Sequence, residues 1–106
     1  MTFTLEIKTA EDKATEAQEA LRQTARRECR RRILEVADET AQINLASAVA
    51  AGQLSDAELA SYRAGLGWLT AMRGTWARLA AAGKDPADDG NWPEVPDGVK
   101  ALFARY

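Results

Sequence analysis

The chain opens on a strict alternation. Phe3, Leu5 and Ile7 fall on one side and Thr2, Thr4, Glu6 and Lys8 on the other, the two-residue period of a half-buried strand over residues 2–8. No later stretch has the pattern of a partner strand. A lone strand leaves its backbone groups unpaired, so it pairs with the same strand of another subunit, adds to a partner's sheet, or stays disordered. From Thr9 the apolar spacing turns helical. Thr9 and Asp12 are spaced as a capping pair, Glu11 and Asp12 suit the positive end of a helix dipole, and no proline or glycine follows until Gly52. Glycine just past the last periodic residue is the usual helix stop, so one helix is expected over 10–51. At about 1.5 Å per residue it would be roughly 60 Å long.

The strongest local signal is Leu54-Ser55-Asp56-Ala57-Glu58-Leu59, where Ser55 and Glu58 form a capping box and Leu54 and Leu59 stand as a hydrophobic staple. A second helix is expected over 55–82, stopping at Gly83. Only Gly52 to Leu54 separates the two helices, so they fold back as an antiparallel hairpin, and the fold class is all-α. Residues 83–97 are too rich in proline, glycine and aspartate for a regular element. Trp92 and Val95 are expected to pin that segment to the hairpin, and Asp97 to cap a short last helix carrying Val99, Leu102 and Phe103. The organisation is a single domain: a strand or arm over 1–9, helices over 10–51 and 55–82, and a C-terminal segment over 83–106.

The faces of these helices differ. The first half of helix one carries a narrow seam of Leu21, Ala25, Cys29 and Ile33. Its second half broadens through Leu34, Val36, Ala37, Ala41, Ile43, Leu45 and Ala48, and this wide face is the expected seat of helix two. Helix two answers with Leu59, Tyr62, Leu66, Trp68, Leu69, Met72, Trp76 and Leu79. With about 28 residues, helix two reaches back along helix one only to about residue 24. Residues 10–23 overhang as an arm that is marginal alone: it pairs with another copy or a partner, or it frays. Gly65, Gly67 and Gly74 interrupt helix two, either to admit another backbone closely or as tolerated drift.

Composition narrows the chemistry. The chain contains no histidine, which removes the usual general base and the commonest metal ligand. Its one cysteine, Cys29, has no histidine to activate it and forms neither an intramolecular disulfide nor a zinc cluster. No catalytic residue, metal ligand or cofactor site is expected. Asp85, Asp88 and Asp89 lack the ligand spacing of a calcium loop. Glu35, Asp38 and Glu39 read as a solvated helical face, and Tyr62, Trp68 and Trp76 as hairpin core. No apolar run is long enough to cross a bilayer and the N-terminus lacks a signal peptide's pattern, so a cytoplasmic product with no membrane partner is expected.

The formal net charge of -2 conceals two opposed clusters. Arg22, Arg26, Arg27, Arg30, Arg31 and Arg32, against Glu28 alone, give residues 22–32 a charge of +5. Asp85, Asp88, Asp89, Glu94 and Asp97, with no basic residue among them, give residues 85–97 a charge of -5. The hairpin brings the two together, so the acidic segment is expected to dock on the arginine collar. The competing reading, a nucleic-acid-binding module built on Arg22–Arg32, is weakened because the arginines surround the helix and no aromatic side chains lie among them.

One stretch has a familiar look. Ala50-Ala51-Gly52, Leu54-Ser55-Asp56-Ala57-Glu58, Tyr62-Arg63 and Trp68, and Asp88-Asp89-Gly90-Asn91-Trp92-Pro93-Glu94-Val95-Pro96 resemble the C-terminal region of bacteriophage tail-fibre assembly proteins. The resemblance covers about residues 42–97, and Trp-Pro-x-x-Pro is its most specific piece. It implies a non-enzymatic chaperone or accessory protein that binds a tail fibre and works in the host cytoplasm when prophage-encoded; self-association is expected separately, from the overhanging arm and the unpaired strand. The expected contact residues are Phe3, Leu5, Ile7 and Leu21 on the arm side, and Trp92, Pro93 and Pro96 in the C-terminal segment. A purely structural oligomer is the remaining alternative.

Overall fold

The computed structural model describes residues 9–106, so the expected strand over 2–8 lies outside the described residues. The described residues are all-α: α1 spans Ala10–Val36, α2 Glu39–Ala50, α3 Asp56–Ala82 and α4 Val99–Ala104, with a 3-10 turn at Asp89–Asn91 before α4. Both expected capping boxes are formed. Asp12 N–H donates to Thr9 Oγ1 at 3.0 Å while Thr9 N–H donates to Asp12 Oδ2 at 3.3 Å. Glu58 N–H likewise donates to Ser55 Oγ at 3.2 Å, and Ser55 N–H to Glu58 Oε1 at 2.9 Å. α3 stops at Gly83, as expected, with Lys84 N–H donating to the Leu79 carbonyl at 2.9 Å.

The expected single helix over 10–51 is divided in two. Ala37 adopts an extended backbone (φ -140, ψ 90), and Asp38 caps α2 by accepting from Ala41 N–H at 2.7 Å. Gln42 Nε2 donates to the Ala37 carbonyl at 2.8 Å, so the bend leaves that carbonyl satisfied. The gain is a slot for α4. Val99, Leu102 and Phe103 pack with Ala37 at the elbow, with Ala41, Leu45 and Ala48 of α2, and with Leu54. The wide face expected to seat helix two is thus covered mainly by α4, which touches α1, α2 and α3. Ile43, assigned to that face, is 67% exposed, and Leu66 of α3 is 44% exposed, because neither points into the slot.

Two glycines make the slot possible. A Cβ on Gly65 of α3 would lie 3.0 Å from Phe103 Cε2 and 3.3 Å from Val99 Cγ1, so the bare backbone admits α4. Gly98, not Asp97, precedes α4: its φ of +82 is left-handed, and a Cβ there would meet Ser61 Oγ at 2.7 Å.

A second cluster joins α1 to α3 through Cys29, Ile33, Trp68, Leu69, Met72 and Leu79, closed by Trp92. Gln18 Nε2 donates to the Ala80 carbonyl at 2.9 Å, so pairing reaches past residue 24 and the overhang shrinks to residues 10–17. Cys29 facing Met72 and Gln18 facing Ala80 set α3 further along α1 than a straight hairpin closed at Gly52–Leu54 would. The described residues measure 68 × 29 × 16 Å. No helix among them is long and apolar enough to cross a membrane.

Candidate functional site

The elbow and the α1–α3 seam divide the arginine collar between two flanks of one helix. At 100° per residue, Arg32 and Arg30 point roughly 160° apart, and their neighbours differ accordingly.

On the Arg32 flank the acidic segment is docked. The Arg32 guanidinium, with a side chain only 15% exposed, reaches Asp89 Oδ1 at 2.7 Å and Glu28 Oε1 at 3.0 Å, and lies 5.3 Å above the Trp92 ring centroid. Trp92 is buried, and its Nε1 donates to the Pro86 carbonyl at 2.8 Å, folding residues 86–92 into a closed loop. Trp68 Nε1 donates to the Pro93 carbonyl at 3.2 Å, which ties the following residues to α3. The expected docking of acidic segment on collar is therefore present, through one arginine and one aspartate. Asp85 and Asp88 instead accept from the backbone N–H groups of Ala87 and Gly90, each at 2.9 Å, and so shape the loop locally. Arg31 bridges Glu28 and Glu35, the latter at 2.8 Å. The Arg31 hydrogen bond holds the Glu28 carboxyl below its ordinary pKa, outweighing the burial that pushes it up.

On the other flank lies an open groove of about 720 Å³. Arg26, Arg27 and Arg30 of α1 form one wall, Arg73 and Trp76 of α3 the other, with Cys29 and Ile33 at the floor and Glu39 and Gln42 of α2 at one end. Arg30 pairs with Glu39 at 2.6 Å, both side chains remaining about two-thirds exposed at 69% and 67%. Arg22 covers the Trp76 ring at 5.3 Å. Among the described residues Arg26 and Arg73 form no ion pair, so the groove retains net positive charge. Cys29 Sγ donates to the Met72 carbonyl at 3.4 Å, and burial pushes its pKa up. Burial thus favours the protonated thiol, the form suited to packing.

The expected contact residues are dispersed. Leu21 is half-buried on α1, and Pro93 and Pro96 are half-buried in the C-terminal segment. Trp92 is enclosed by its own chain, and Phe3, Leu5 and Ile7 lie outside the described residues. The groove was visible in the sequence only as charge. Arg73 carries no local signal in the sequence, because its place opposite Arg26 depends on the α1–α3 register. Comparison with protein-family models, with curated proteins and with solved structures finds no match.

Proposed function

We propose that this chain is a protein-binding assembly factor of the tail-fibre chaperone type, acting by contact and not by catalysis. The observation that carries the reading is the exposed arm of α1 leading into an open arginine-lined groove. Every residue from Ala10 to Ala20 is exposed, and the groove begins at Gln23. An isolated helical arm gains most of its order from a partner, and a row of arginine forks recognises carboxylates on that partner. The resemblance over residues 42–97 supplies the proposed class of client, a phage tail fibre, and the site of action, the host cytoplasm. Self-association belongs to the same reading.

Co-expression with the C-terminal fragment of a tail fibre tests it. The fragment's soluble yield rises and the two proteins co-purify; unchanged yield with no association overturns the proposal. Nucleic-acid binding is the second reading, favoured by the same arginines. A salt titration separates the two, since contact with phosphates gives affinity that falls steeply with salt, and no DNA binding at low salt removes this alternative.

A further inference from the structure

The groove-facing side of α1 continues unbroken onto the arm, and its charge reverses on the way. With Gln23 as reference at 100° per residue, Asp12, Glu16, Glu19, Arg26, Arg27 and Arg30 all fall within a sector of about 100°. Three acids precede Gln23 and three arginines follow it. The order is also symmetric about residue 21. Asp12 and Arg30 are equally far from it, as are Glu16 and Arg26, and Glu19 and Gln23.

We infer that two copies of this chain pair antiparallel along α1 about a two-fold axis at residue 21, the acidic arm of each lying in the arginine groove of the other. A two-fold axis sets residue i against residue j and j against i. In this register Asp12 of the second copy meets Arg30, its Glu16 meets Arg26, its Glu19 meets Gln23, and each contact occurs twice. The sense of pairing is the antiparallel one, because a parallel pair would set acid against acid and arginine against arginine. The overlap over residues 12–30 extends about 27 Å.

The groove fits that occupant in other respects. Arg73, without an ion pair among the described residues, stands on the α3 wall and gives the incoming acids a cation on their other side. Glu39 and Gln42 close the groove just beyond residue 30, where the second copy's α1 begins. The exposed arm gains a groove to lie in, and the groove gains opposite charge. Surface ion pairs of this kind are individually weak and screened by salt, so the dimer is salt-sensitive and not obligate.

This deepens the self-association part of the proposed function, and the experiment separates the two. Sedimentation equilibrium of the full chain is measured from micromolar to millimolar concentration, at low and high salt. The wild type forms a dimer that weakens about tenfold or more at about 1 M salt, where the screening length falls to about 3 Å. Arg26→Glu and Glu16→Arg each place two like-charge contacts across the axis and lower the association constant about tenfold. Combining both substitutions in one chain, or mixing the two single variants, restores it. The sites are exposed, so unchanged far-ultraviolet circular dichroism checks that each variant folds. A wild type that stays monomeric overturns both self-association and this register. A dimer indifferent to the single variants, or unrecovered by the charge swap, overturns the register while leaving self-association standing.

Discussion

α1 begins and ends under very different conditions. Residues 10–20 carry a complete capping box and abundant alanine, yet every one of them is exposed. Residues 25–37 carry no such box, yet Ala25 is fully buried, Cys29 and Ile33 pack against α3, and Ala37 packs against α4. Local propensity starts the helix; cover decides which part belongs to the cooperative fold. Each full turn of the buried part is held by apolar area, at about 25 cal/mol per Å² removed from water. Before Gln18, whose side chain reaches the Ala80 carbonyl, the arm is held by its cap, by backbone hydrogen bonds and by exposed side-chain contacts, all of which water competes for.

The largest loss is expected at the covered end. Phe103→Ala empties the slot between α2, α3 and Gly65 and is expected to cost about 3–5 kcal/mol, read as a drop in the urea midpoint. A loss below about 1 kcal/mol would mean that α4 is not integral to the core. Asp38→Ala removes the α2 cap while leaving the apolar contacts in place, and about 1 kcal/mol is expected by the same measurement. No loss would imply that the elbow is held by packing alone. The smallest global effect belongs to the arm. Ala17→Gly, made in the Arg26→Glu background to suppress pairing, lowers helical circular dichroism but shifts global stability by less than about 0.5 kcal/mol. A full 1 kcal/mol loss would place the arm inside the cooperative unit.

The parts that were legible beforehand are those decided within a few residues. The Thr9–Asp12 and Ser55–Glu58 boxes, the stop at Gly83 and the Ala25–Cys29–Ile33 seam all follow from short spacing rules. The elbow does not. Asp38 is as good a solvated helical residue as a cap, and the choice is made by α4, some 60 residues later in the chain, which needs space beside Ala37. Gly98 is hidden for the same reason: Asp97 is the better cap by type, but only glycine tolerates the backbone facing Ser61. For the candidate site, charge was legible and partition was not. That Arg32 serves the C-terminal segment while Arg26 and Arg30 face the groove depends on where α3 lies against α1.

Cys29 has a consequence in the time domain. It is the chain's one thiol, buried on α1 against Met72 of α3, where burial pushes its pKa up. At the groove floor the residue is only 3% exposed, so labelling by a reagent that attacks thiolates is slow while the seam is closed and rises as the seam parts. The arm can unwind without exposing that sulfur. Separation of α1 from α3 cannot, which makes this side chain a native clock for the opening of the two-helix seam.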